Sequence, residues 1–290
     1  MENLAEAFLK LKPEDFSVLG AIETGMRGHE WVPVPEITRI TGLADRKVEH
    51  RLRILLEDKM VSRETLHYVG YQIDFLAYDL LALSDLVKRD QVMSIGEEIG
   101  IGKESVVYGA LGEIPLAIKF HRQGRTSFKH VRRLRDHLTD QSKQPWLYAA
   151  AMAARHEFEV MQRLYPTVAV PRPVALSRHA LAMEFLAGPQ LGKITLTDPQ
   201  DCLDMILEEV GRAYRLGIIH SDLSEFNVLV TEDGPKIIDW PSAVESTHPN
   251  AEELLQRDVS NILNFFFRKY KLQMPIKDAL LRIKVQPEAP

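Results

Sequence analysis

The chain has 290 residues, a net charge of −5, and 45% apolar and 27% charged residues, which suits a globular protein of one large domain or two modest ones. That charge excludes a globally basic nucleic-acid binder while leaving room for a local basic face. The single cysteine, Cys202, excludes an internal disulfide and a cysteine-rich zinc site, and it lies in an apolar helical pattern as a packing residue in a reducing cytosol. No run reaches the roughly 18–20 apolar residues of a spanning helix and no uninterrupted apolar leader opens the chain, so the expectation is a cytoplasmic protein with no membrane partner.

Apolar spacing predicts a helix over Leu4–Leu11 and another from Pro13 through Ile22, opened by proline and two acids and ended by Gly25 and Gly28. Val34–Thr41 reads as a short helix, Gly42-Leu43 as a turn, and Ala44–Asp58 as a longer helix with Val48, Leu52, Leu55 and Leu56 as its buried stripe. This is the helix-turn-helix pattern. Strand-like runs at Val61–Leu66 and Tyr68–Ile73 supply a small wing, and a helix over Leu76–Val87 closes the unit. A winged helix-turn-helix domain over 1–84 and a linker over 85–91 are expected. The longer helix exposes Arg46, Lys47, His50, Arg51 and Arg53, which suit nucleic-acid phosphates. Glu49, Glu57 and Asp58 interrupt that face, so a protein-binding or merely solvated helix stays open.

From residue 92 the pattern changes to strands. Val92–Ile99 leads into Gly100-Ile101-Gly102-Lys103-Glu104-Ser105-Val106-Val107, where two glycines two apart let backbone amides approach phosphate oxygens and Lys103 adds charge. Leu116-Ala117-Ile118-Lys119-Phe120 reads as a strand turning a lysine inward, and a buried lysine requires a partner. Glu157, on a helical pattern over Ala149–Leu164, is the candidate; the alternative is that it faces solvent. Between the two lies a basic run with Arg122, Arg125, Lys129, Arg132, Arg133 and Arg135 and no acid until Asp136. It suits RNA or an acidic partner, with Thr126 or Ser127 as phosphorylation candidates, or it is a solvated insertion.

Ala180–Leu186 reads as a strand running into Ala187-Gly188-Pro189, and Asp201–Leu216 as a long amphipathic helix closed by Gly217. Then comes His220-Ser221-Asp222-Leu223-Ser224-Glu225-Phe226-Asn227, the apolar run Val228-Leu229-Val230, and Asp239 in Ile237-Ile238-Asp239-Trp240. Two polar acceptors five apart on a loop, followed by a third carboxylate past the next strand, form a layout for phosphoryl transfer. His220 reads as a residue that fixes the loop, with general-base work as the alternative.

Glycine turn, Lys119, Glu157, Asp222, Asn227 and Asp239 stand in the order that protein kinases use. Ser105 replaces a third glycine, His220-Ser221-Asp222 replaces H-R-D, Ile238-Asp239-Trp240-Pro241 replaces D-F-G, and no A-P-E follows. With the winged helix, this combination resembles the RIO family of atypical serine/threonine kinases, in its second, winged-helix-bearing type and its compact archaeal-like form. The resemblance implies an α+β fold: the N-terminal winged helix-turn-helix domain followed by a compact bilobal kinase-like domain over 92–285, with an N-lobe at 92–184 and a C-lobe at 188–285. It implies ATP and Mg²⁺ (or Mn²⁺). Gly100, Gly102, Lys103, Glu104, Ser105 and Val107 would cover the phosphates, and Lys119 would contact them, oriented by Glu157. Met183, Glu184 and Leu186 would hold adenine. Asn227 and Asp239 would bind the metal, and Asp222 would serve the attacking hydroxyl. Autophosphorylation, an unidentified protein substrate and action in maturation of the small ribosomal subunit are also implied. The winged helix and the 122–135 loop would touch precursor or rRNA. Some members act chiefly as ATPases through a transient phospho-aspartate, here Asp239. A small-molecule kinase and an ATP-gated binding factor are the alternatives.

Overall fold

In the computed structural model the described residues are 4–122 and 145–285. The basic run beyond Arg122, with Thr126 and Ser127, lies outside them. Apolar residues three and four apart build α1 (Leu4–Lys10) and α2 (Pro13–Gly25), and Asp15 caps α2 by accepting the Lys12 amide at 2.8 Å. α3 (Val34–Thr41) stops at Gly42, whose φ of 67° favours a residue without a Cβ. α4 (Asp45–Glu57) buries Val48, Leu52 and Leu55, while Leu56 is only half-buried. β1 (Val32–Pro33), β2 (Val61–Glu64) and β3 (Gly70–Ile73) form an antiparallel sheet in the order β1-β3-β2. β1 is two residues long and has no periodicity to read.

The basic face of α4 is smaller than its sequence suggests. Lys47 is paired with Glu14 at 2.8 Å, and Arg51 turns inward to Asp15, 3.7 Å away. Arg46, His50 and Arg53 remain exposed.

α5 (Phe75–Lys88) runs through the first four residues of the expected 85–91 linker. It buries Ala77, Tyr78, Leu80, Leu81, Ala82, Leu83 and Leu86, almost its whole circumference, as a helix enclosed on several sides does. Each of its large apolar side chains contributes about 1.5–3 kcal/mol by leaving water.

β4 (Ser94–Ile101), β5 (Ser105–Leu111), β6 (Pro115–His121), β7 (Pro173–Ser177) and β8 (Ala180–Glu184) form a second sheet in the order β4-β5-β6-β8-β7. The chain divides into two compact units, Met1–Arg155 with Ala175–Ala182, and His156–Val174 with Met183–Pro290. The boundary falls inside α6 (Pro145–Leu164). In the first unit the winged helix and the β4–β6 strands share one body.

A polar cluster joins them there. Asp79 of α5 takes Arg122 in a bidentate pair at 2.7 and 2.5 Å and lies 2.7 Å from Nε2 of His179. Arg122 is thus a half-buried structural cation, not a member of an exposed basic loop. His179 is 0% exposed and its Nδ1 finds no hydrogen-bond partner, so the neutral ring donates from Nε2 to Asp79. Burial pushes the imidazole down to about 4, against the opposing pull of Asp79. A folded value below the unfolded one means that this stability is present above the ordinary histidine range and is lost as pH falls through it. Between pH 7 and pH 5 the loss should be about 2 kcal/mol, read as a lower urea midpoint, and His179→Gln should flatten that slope. An unchanged slope in the variant would remove His179 as its source.

In the second unit α7 (Pro199–Arg215) is capped by Asp198, which accepts the Asp201 amide at 3.0 Å. It buries Cys202, whose thiol is pushed up to about 11 by burial. Gly217 follows at φ 79°. β9 (Ile218–Ile219) pairs with β12 (Val244–Glu245), and β10 (Val228–Thr231) with β11 (Gly234–Ile237). α8 (Ala251–Tyr270) and α9 (Ile276–Lys284) complete it. Among the described residues no helix is long and apolar enough to cross a membrane.

Candidate active site

The predicted residues fall in both units. In the first, register places Gly100 opposite Val107 and Val107 opposite Lys119, so one row crosses β4, β5 and β6. Directly opposed residues share a sheet face, and Ser105, two residues before Val107, lies on that face too. Gly100 belongs to β4 and not to the turn, which corrects the reading of both glycines as loop residues. The turn is Gly102-Lys103-Glu104, closed by the Gly102 amide donating to the Ser105 carbonyl at 2.8 Å. A Cβ at Gly100 would meet only the Val107 Cβ, at 4.0 Å. No protein atom demands glycine there, and the open space above Val107 fits close approach by a ligand. Lys119 is 5% exposed, a depth at which an ammonium needs a counter-charge.

In the second unit, Asp222 and Asp239 are exposed, while His220, Asn227, Trp240 and Asp258 around them are buried. Asn227 Nδ2 donates to the Asp222 carbonyl at 3.0 Å, and the Asn227 carbonyl accepts the Ile238 amide at 2.9 Å. Those two bonds tie Asn227 to Asp222 and to Ile238, the residue before Asp239. With its nitrogen donating to Asp222, Asn227 keeps Oδ1 as its acceptor. An amide oxygen beside a carboxylate is a hard donor pair that suits Mg²⁺, which takes few protein ligands and shares the rest with phosphates and water. No cluster of three or more His, Cys, Asp or Glu that could hold a metal occurs among the described residues.

Ser221 and Asp239 both adopt positive φ, 62° and 71°. This left-handed backbone costs an ordinary residue about 1 kcal/mol or more, and the surroundings hold it in place. His220 donates from Nε2 to the Ile238 carbonyl at 3.0 Å and accepts the Asp222 amide on Nδ1 at 3.3 Å. Both ring nitrogens are occupied by backbone, so the imidazole braces the loop. Ser221 Oγ donates to the Ser242 carbonyl.

The sequence did not flag the main support. Asp258 of α8, 1% exposed, accepts the Ser221 amide at 2.6 Å and the Leu223 amide at 3.0 Å, one on each carboxylate oxygen. Burial raises its pKa, while the two amides and His220 act in the opposite direction. Arg257 donates to the Ser221 carbonyl and Asn261 to the Leu223 carbonyl, the latter at 3.0 Å. The available signal was Asp258 standing on an apolar stripe, Leu255, Val259 and Ile262, where a carboxylate is costly without partners.

Glu157 is 1% exposed and its Oε1 accepts the Trp240 amide at 3.0 Å, which fixes the residue after Asp239. Trp240 is buried against His220, ring centroids 4.5 Å apart. Met183, Glu184 and Leu186 are half-buried. The Glu184 amide donates to the Arg172 carbonyl at 2.9 Å, so of its backbone only the carbonyl remains for a base.

Comparison with known proteins gives the family. Residues 106–279 match the RIO domain, and residues 8–89 match the Rio2 N-terminal domain. A RIO-type serine/threonine-protein kinase Rio2 from Methanocaldococcus jannaschii is 40% identical, covering 85% of this chain and 93% of its own length. The Schizosaccharomyces pombe serine/threonine-protein kinase rio2 is 37% identical, covering 93% of this chain and 81% of its own. A crystal structure of the Chaetomium thermophilum Rio2 kinase in an ADP/Mg²⁺-phosphoaspartate complex superposes with a TM-score of 0.82 at 33% identity, covering 96% of this chain and 88% of that one.

Proposed function

Because this chain belongs to the RIO kinase family and carries the Rio2 N-terminal domain, we propose that it is an ATP- and Mg²⁺-dependent serine/threonine kinase whose chemistry rests on Asp222, Asn227 and Asp239. The observation that carries this is the pair of hydrogen bonds made by the buried Asn227, one with Asp222 and one with Ile238, the residue before Asp239. Asp222 accepts the proton of the attacking hydroxyl at its carboxylate. Asn227 Oδ1 and the Asp239 carboxylate hold Mg²⁺, which when bound neutralises charge on the phosphate oxygens. Lys119, with Glu157 as its counter-charge, steadies the phosphates, and the Gly102–Ser105 turn covers them. The Glu184 carbonyl and Leu186 amide receive adenine, with Met183 behind it.

A second reading shares the same residues. The Chaetomium structure is described as holding a phosphoaspartate, which favours attack by an aspartate carboxylate in that relative. In this chain Asp239 would attack the γ-phosphorus, the bond to ADP would break, and water would later cleave the acyl phosphate, giving an ATPase cycle. We place the protein in the cytoplasm, acting in maturation of the small ribosomal subunit. The exposed Arg46, His50 and Arg53 of α4 support contact with rRNA phosphates. Domain limits of 1–84 and 92–285 belong to the same reading.

Mass spectrometry after incubation with ATP and Mg²⁺ tests it. Stable phosphate on serine or threonine marks the kinase, and a hydroxylamine-labile phosphoryl group at Asp239 marks the ATPase cycle. No phosphorylated residue and no ADP would sink both.

A further inference from the structure

The Gly102-Lys103-Glu104 turn is tied to the winged helix through one residue. The Arg122 amide donates to the Glu104 carbonyl at 2.7 Å, while its guanidinium grips Asp79 of α5 through both carboxylate oxygens. The same guanidinium lies over the Phe75 ring, 4.9 Å from its centroid, and Phe75 also belongs to α5. Around this link the packing is closed. The His179 ring stacks on Tyr78 at 4.2 Å and 11°, and Phe120, next to Lys119, stands 5.7 Å from His179. Trp146, near the start of α6, packs on Phe75 at 4.3 Å.

We propose that Arg122 is a positioning residue that couples α5 of the winged helix to the phosphate-covering turn, so that the state of the winged helix sets nucleotide affinity. The physical reason is the geometry of the guanidinium. Its planar fork fixes the Asp79 carboxylate in two directions at once, and a lysine at this position would hold a point charge but not the angle. The backbone of the same residue closes the hairpin over Glu104, so displacement of α5 reaches the turn through the Arg122 side chain alone. The coupling rests on the nucleotide-binding reading above.

A second junction within the unit provides the control. Arg178, at the β7–β8 turn, bonds Glu23 of α2 at 2.8 and 2.9 Å and also bonds Asp85 of α5, yet makes no hydrogen bond to the 102–105 turn. The test compares Arg122→Lys, the milder Asp79→Asn and Arg178→Lys in the full chain, by calorimetric titration with Mg²⁺–ADP and by hydrogen exchange of the nucleotide-free chain. Arg122→Lys and Asp79→Asn should each weaken Mg²⁺–ADP roughly tenfold and speed exchange at the amides of residues 104–107, while Arg178→Lys changes neither. Equal effects from all three variants would mean general loosening of the unit and would overturn the proposal. So would a lowered melting temperature in Arg122→Lys and Asp79→Asn with unchanged affinity and exchange. If the wild-type chain bound no Mg²⁺–ADP, the nucleotide reading would fall, and the exchange measurement would still decide whether α5 and the turn are linked.

Discussion

Asp222→Ala should lower turnover by about 10²- to 10⁴-fold and leave Mg²⁺–ADP affinity within about twofold of wild type. The carboxylate is exposed and takes no part in the bonds that hold the loop; the Asp222 backbone carbonyl and amide do that, through Asn227 and His220. Truncating the side chain therefore removes the proton acceptor and spares the frame. Single-turnover ADP release and calorimetry on one preparation provide the split. A variant with wild-type turnover would remove Asp222 from the chemistry, and one that lost nucleotide affinity as well would show that it binds instead.

Asp258→Ala should cost about 2–5 kcal/mol, because it strands the buried amides of Ser221 and Leu223 together. Asp258→Asn should cost less, since one oxygen still accepts while its NH₂ opposes the second amide. The wild-type carboxyl has a raised folded pKa, so its contribution is greatest below the ordinary carboxylate range and declines as pH rises through the folded value. The asparagine variant lacks that decline. Urea unfolding of the three proteins between pH 4 and pH 7 reads both effects, and turnover should fall with the loop geometry. Equal stability of the alanine variant would show that water replaces the carboxylate at no cost.

Much of this was legible in residue order. α3 ends where the apolar spacing and Gly42 put it, and the motif residues Asp222, Asn227 and Asp239 needed only their types and intervals. The start of α6 was missed because Pro145, suited to a first helical turn, lies before the apolar repeat begins at Ala149. Register was not legible at all. β4 shifts twice against β5, between Ile95 and Glu98 and between Glu98 and Gly100, and no alternation in the sequence encodes such irregularities. Charged residues misled most. Arg51 and Arg122 counted as exposed cations until their carboxylate partners, 36 and 43 residues away in sequence, were located. The role of Asp258 likewise depends on backbone amides 35 and 37 residues upstream.

The left-handed backbone at position 239 acts as a second filter on which side chain can stand there. The phosphoryl acceptance proposed for this position calls for a carboxylate, which admits aspartate and glutamate. A φ of 71° favours glycine, asparagine and aspartate and disfavours longer side chains. Only aspartate belongs to both sets. Glutamate, the usual conservative replacement, is the chemically adequate residue that the backbone conformation disfavours, and asparagine is the one that suits the conformation and cannot react.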